Sequence, residues 1–159
     1  MIPQEFERVA RAYRLLGDLE PKHLRKLVPL AEDRQFRPGE IIFKERDRSS
    51  FLYLIVSGEV ALEMRAGGAM IGLQKLQAGD AMGWSALTED GETHFQARAL
   101  TPVSTVAFPS QGIREACEGD PEMGYALMKR LLELVTERLD AARMQIVRVR
   151  HDAEVAQQA

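Results

Sequence analysis

A chain of 159 residues with 45% apolar residues is long enough for one domain plus an appendage and too apolar to remain disordered. Its formal net charge of −3 argues against nucleic acid or an anionic membrane surface as partner, and the lone Cys117 excludes an internal disulfide. The start lacks a basic region followed by an apolar run, and no apolar run approaches the roughly 20 residues of a membrane span; a cytoplasmic location without membrane contact is expected.

Residues 1–32 read as a helical segment. Phe6, Val9, Ala10, Tyr13 and Leu16 share one helical face, and Gly17-Asp18 interrupts the pattern. Pro21 suits a first helical turn, and Leu24, Leu27, Val28 and Ala31 form a second apolar stripe. From residue 33 the rhythm becomes short apolar runs between turn residues. Pro38-Gly39 precedes Ile41, Ile42 and Phe43. Phe51 to Val56 is a strand apolar on both faces, and Ser57-Gly58-Glu59 reads as a tight hairpin leading into Val60 to Met64. Gly67-Gly68 turns into Met70 to Leu76; Gly79-Asp80 and Gly83 follow, then Phe95 to Leu100 and Val103 to Phe108. This spacing predicts a mainly β fold over residues 33–109, an antiparallel roll, barrel or sandwich, with flanking helices.

Residues 110–159 read as a short helix and a long one. Ser110 is a suitable N-cap, with helix to about Cys117. Asp120-Pro121-Glu122 places a cap, a proline at the first helical position and an acid in the first turn. Met128, Leu132, Val135, Leu139, Ala142, Ile146, Val149, Ala153 and Ala156 then follow at steps of four and three. That seven-residue repeat is the seam of two helices wrapped together and predicts a homodimer. Leu127, Leu131 and Leu134 form a neighbouring stripe suited to covering the β region. The alternative is a single helix along its own core, favoured by the thin alanines of the seam. In the assigned register Arg138 and Arg143 flank the seam, where like charges repel.

His23, His94 and His151 lie in different segments, so no metal site is expected. Cys117 has no histidine nearby in sequence and reads as a half-buried apolar residue. Gly83-Trp84-Ser85-Ala86-Leu87 lacks the second glycine of a nucleophile elbow, and no Walker or dinucleotide-binding pattern occurs. No catalytic residues and no cofactor are expected. Arg143, Arg148 and Arg150, with His151, read as a solvated helix flank.

Several segments, in order, resemble the cyclic-nucleotide-binding fold of the catabolite activator family and of kinase regulatory subunits. They are Leu16-Gly17-Asp18-Leu19, Phe36-Arg37-Pro38-Gly39-Glu40-Ile41-Ile42-Phe43, Phe51 to Val60, Gly79-Asp80-Ala81-Met82-Gly83 and Gln96-Ala97-Arg98-Ala99. The resemblance implies an eight-stranded double-stranded β-helix, or jelly roll, with a dimer-forming helix. It also implies a phosphate-binding cassette, in which a glutamate accepts a ribose hydroxyl and an arginine neutralises the phosphate. Here Gly83 and Leu87 keep the cassette's turn and packing. Trp84 occupies the glutamate's place and Thr93 the arginine's, followed by His94 and Phe95. Glu89, Asp90 and Glu92 add local negative charge. Losing the charge-assisted arginine contact costs roughly 1.5–3 kcal/mol or more, so ordinary cyclic AMP or cyclic GMP binding is not expected. Arg98 matches a framework position.

The N–H groups of Ser85, Ala86 and Leu87 remain candidates for an anion or carbonyl, and Trp84 either stacks on a ligand ring or fills the pocket. Thr136 falls near where the family places a hydroxyl toward the purine. Relatives that regulate transcription continue into a DNA-binding domain; this chain ends at Ala159, so a stand-alone sensor signalling to another protein is expected. Three readings follow: a ligand-sensing dimer for an unidentified small molecule, an interaction module with a filled pocket, and weak genuine cyclic-nucleotide binding.

Overall fold

The computed structural model describes Phe6 and residues 10–88 and 91–158; Val9, Glu89 and Asp90 lie outside the described residues. Helix α1 (Pro21–Leu27) runs into a 3-10 turn (Val28–Leu30). The strands are β1 (Glu32–Phe36), β2 (Ile41–Phe43), β3 (Phe51–Ser57), β4 (Val60–Ala66), β5 (Ala69–Leu76), β6 (Ala81–Met82), β7 (Gln96–Ala99) and β8 (Val103–Pro109). A second 3-10 turn (Trp84–Leu87) lies between β6 and β7. Helices α2 (Ser110–Gly119) and α3 (Pro121–Gln158) close the described chain.

The strands form two four-stranded antiparallel sheets, in the orders β1-β8-β3-β6 and β2-β7-β4-β5. This is the expected jelly roll with flanking helices. The run of apolar residues in β3 has a direct cause, because successive side chains on a strand point to opposite faces. Tyr53 and Ile55 join Val60, Leu62, Leu76, Met82, Ala97 and Ala99 in the cluster between the sheets. Leu52 and Leu54 face the other way, with Val106 and Phe108, into a cluster shared with Leu24, Leu27, Ile113, Met123 and Leu127 of the helices. The central strands β8 and β3 of their sheet are therefore buried on both faces.

Three local expectations are corrected. Ser57-Gly58-Glu59 is not a hairpin: β3 and β4 belong to different sheets, so the turn crosses between them. It packs on the corner at residues 101–102. Gly58 has φ +96, and a Cβ there would sit 2.3 Å from the Pro102 carbonyl oxygen; the Glu59 N–H donates to Thr101 Oγ1 at 2.9 Å. The first helical stripe does not continue as helix to Leu16. Phe6, Ala10, Tyr13 and Leu16 are buried as their spacing predicts, but residues 11–19 form successive turns. The Arg14 N–H is drawn off to the Gly79 carbonyl at 3.1 Å, which takes it out of any helical ladder. Finally, Ser110 lies inside α2, with Pro109 at the N-cap and the Ser110 N–H donating to the Ser50 carbonyl.

Helix α3 starts as its sequence predicts. Asp120 Oδ1 accepts the Met123 N–H at 3.2 Å, and Pro121 stands at the first position. At 38 residues the helix is about 57 Å long. Leu127 and Leu134 bury on the roll and Leu131 packs beside them, while every described residue from Ala141 onward is exposed. No described helix is long and apolar enough to cross a membrane.

Candidate functional site: the cassette and the roll cavity

Gly83 begins the site. Its φ of +76 is left-handed, and a Cβ would lie 2.7 Å from the Phe51 carbonyl oxygen. Ser49 Oγ donates to the Gly83 carbonyl at 3.0 Å. The chain then turns through Trp84, Ser85, Ala86 and Leu87. Ala86 is fully buried, and its N–H donates to the Gly83 carbonyl; its own carbonyl accepts from Arg114 Nη1 at 3.1 Å. The Ser85 carbonyl accepts from Thr88 Oγ1 at 2.9 Å. Leu87 is half-buried, beside Arg114, Cys117 and Met128.

Thr93 is 2% exposed and is turned toward the chain itself. Its hydroxyl lies within hydrogen-bonding distance of the Lys44 and Asp47 carbonyls, and its backbone exchanges bonds with Arg46 and Asp47. It holds the turn in which Arg46, a non-glycine, sits at φ +69. His94 is exposed. Thr136 is exposed too, and its hydroxyl donates to the Leu132 carbonyl one turn back at 2.8 Å, a local bond that leaves no side-chain proton for a ligand.

Arg138 is the residue that sequence reasoning missed. It does not flank a solvent-facing seam: its guanidinium lies 4.0 Å over the Trp84 ring, with Nη2 donating to the Ala81 carbonyl at 3.3 Å. Nη1 is buried and has no hydrogen-bond partner. Burial pulls its pKa down to about 10, with Asp80 opposing and Arg14 assisting, so it stays charged at neutral pH. Arg143 alone stays outside, paired with Asp140 at 3.4 Å.

Two cavities meet at Arg138. One, of about 240 Å³, is lined by Arg14, Asp80, Trp84, Glu137 and Arg138 among others. The second, of about 230 Å³, is lined by Leu62, Leu73, Phe95, Arg138 and Ala142 among others. Gln74, Arg138 and Ala141 belong to both walls. Arg14 closes the polar side, paired with Glu137 and 3.9 Å from Asp80.

Arg98 is held away from the roll interior. Ala97 and Ala99 point inward, so Arg98 points out, where it grips Glu63 with two bonds of 2.9 and 2.8 Å; Gln96 adds a third. The Arg98 hydrogen bonds hold the Glu63 carboxyl below its ordinary range, against the opposing effect of burial. A depressed folded-state value means stability that is present above the ordinary carboxylate range and lost as pH falls through the folded value. Melting temperature should therefore decline below about pH 4, and Glu63→Gln should flatten that decline in a pH series. Asp120, lowered by Lys26, should leave part of it in place.

On α3, Met128, Leu132, Val135, Leu139, Ile146 and Val149 are 38, 67, 36, 49, 61 and 68% exposed, and Ala142 is exposed with them. Among the described residues no cluster of histidine, cysteine and carboxylates is arranged for a metal ion.

The chain belongs to the cyclic nucleotide-binding domain family, whose pattern matches residues 33–120. A protein from Geobacter metallireducens, assigned as cyclic nucleotide-binding, has 29% identity and a TM-score of 0.76, covering 87% of this chain and 99% of its own. The catabolite activator protein of Thermus thermophilus has 24% identity and a TM-score of 0.69 over 86% of this chain; the match spans 62% of that protein. The regulatory subunit of a cAMP-independent protein kinase A from Trypanosoma brucei, in a substituted form bound to cAMP, has 16% identity and a TM-score of 0.74, covering 91% of this chain and 51% of its own. No curated protein matches. By family and fold the chain is a regulatory, sensor-type module.

Proposed function

We propose that the chain is a ligand-sensing homodimer that does not take cyclic AMP or cyclic GMP in the family's usual way and signals to another protein by moving α3. The carrying observation is the cassette. Its shape is kept by Gly83 and Leu87, while Trp84 and Thr93 replace the two charged groups the family uses, and the Thr93 hydroxyl is engaged by carbonyls of its own chain. A cyclic nucleotide phosphate has no cassette arginine to meet, and Arg98 is bound to Glu63 on the far face of its sheet. The trypanosomal relative supports the idea that this fold can serve a cAMP-independent protein. The same reading puts the module in the cytoplasm, with no nucleic acid or membrane partner and no catalytic residues.

A second reading is an interaction module with a filled pocket, and the Arg138–Trp84 stack favours it, because the two side chains pack on each other in the wall of the polar cavity. Thermal melts with cyclic mononucleotides, cyclic dinucleotides and small metabolites separate the readings. A ligand at 100 times its dissociation constant adds about 2.7 kcal/mol, a rise of roughly 5–11 °C for a chain of this size. Cyclic AMP and cyclic GMP are expected to give no rise; a rise with either would establish genuine cyclic-nucleotide binding instead.

A further inference from the structure

We propose that the roll binds a small organic monoanion with an apolar body, and that Arg138, reaching in from α3, receives the anionic group in place of the cassette. The proposal rests on the ligand-sensing reading above and adds to it the ligand class and the residue that recognises it.

The argument begins with an incomplete cation. A buried charged donor left without a partner is costly. Arg138 Nη1 is such a group, and its neighbours do not complete it. Nη2 has one long bond to the Ala81 carbonyl. Trp84 covers a face of the guanidinium, which is favourable but leaves the in-plane N–H groups unmet. Among the described residues no carboxylate lies within ion-pair distance of Arg138. The two acids that line the polar cavity are engaged elsewhere: Glu137 pairs with Arg14, and Asp80 accepts the Gln77 N–H at 3.0 Å with Arg14 close by.

The walls then set the ligand's character. On the other side of Arg138 the lining is Leu62, Leu73, Phe95 and Ala142, a surface for a hydrocarbon chain or a single ring. A carboxylate fits the planar fork of a guanidinium. A dianion fits less well, because Arg138 offers a single unpaired cation and Arg14 beside it is already engaged by Glu137 and Asp80. A second negative charge would face those acids without compensation. Because Arg138 belongs to α3, pairing it with a ligand acts directly on the helix that carries the exposed apolar seam.

Trp84 is the only tryptophan, so its fluorescence reports the site without a label. Phenylacetate and octanoate, titrated into the whole protein, are expected to change it saturably. Phenylacetamide, the neutral isostere, and inorganic phosphate are expected to bind at least tenfold more weakly. Arg138→Gln should lose at least tenfold in phenylacetate affinity, and Arg138→Lys should recover part of it. If Arg138→Gln fails to fold, the comparison of phenylacetate with phenylacetamide on the unsubstituted protein still decides. Equal binding of those two, or undiminished binding by a folded Arg138→Gln, overturns the proposal and leaves the sensor reading standing. No saturable response to phenylacetate or octanoate overturns the proposal; if the cyclic dinucleotides and metabolites of the thermal melts are silent as well, the sensor reading falls with it and the interaction module is left.

Discussion

Leu132→Glu combined with Leu139→Glu is expected to convert the protein from a dimer to a monomer at micromolar concentration. Light scattering coupled to size exclusion should read about twice 17.9 kDa before substitution and about that value after. The reason lies in what α3 leaves uncovered. Its first half is anchored by Leu127 and Leu134, but every described residue beyond 140 is exposed, with Ile146 and Val149 about two-thirds exposed. Apolar side chains repeated at a seven-residue period bury themselves by wrapping with a second helix, and isolated helical segments gain most of their stability from such packing. The inward turn of Arg138 takes one like charge off the seam. Glutamates at two central seam positions would face their own copies across the pair, an arrangement that is repulsive and desolvated. The doubly substituted chain should also lose helical circular dichroism from residues 141–158, and its melting temperature should cease to depend on concentration. A monomeric parent protein would refute the homodimer.

The architecture was legible because its signals are local. The apolar run of β3, the glycine turn before β5 and the Asp120-Pro121 start of α3 each follow from backbone geometry. What escaped depends on contacts distant in sequence. Strand β1 carries four exposed residues of five and exists by pairing with β8, so no apolar pattern marks it. The turn at Gly58 resembles a hairpin from within; only the approach of Pro102 shows that it joins two sheets. The candidate site shows the same division. Gly83, Trp84 and Thr93 could be placed through the family's motif, but the partners of the Thr93 hydroxyl come from residues 44 and 47. Arg138 was hidden because a heptad pattern identifies the residues that face a partner and says nothing about where a long side chain beside them reaches. Trp84, more than 50 positions earlier in the chain, decides that.

Gly83→Ala is expected to lower stability by roughly 3 kcal/mol, and the proper comparison is Gly39→Ala. Both glycines have left-handed backbones, φ +76 and +84, so both substitutions incur the strain of a side chain in that region, about 1 kcal/mol at the low end. Their surroundings differ. Nothing lies within 4 Å of a Cβ at residue 39, whereas one at residue 83 meets the Phe51 carbonyl oxygen at 2.7 Å and the Tyr53 ring at 3.4 Å. The first of these is backbone in a central strand and cannot swing aside. The turn must move instead, weakening the Ser49 hydrogen bond to the Gly83 carbonyl. The excess over Gly39→Ala therefore measures the close approach alone, and should appear as an additional fall of roughly 4–8 °C in melting temperature for a chain of this size. Trp84 follows Gly83 directly, so a displaced turn also moves the ring from beneath Arg138. A change in tryptophan emission in Gly83→Ala, absent from Gly39→Ala, would tie the position of the cassette to the Arg138–Trp84 stack. Equal losses in the two variants would mean that strand β3 yields at Phe51, and that the cassette is not held by this contact.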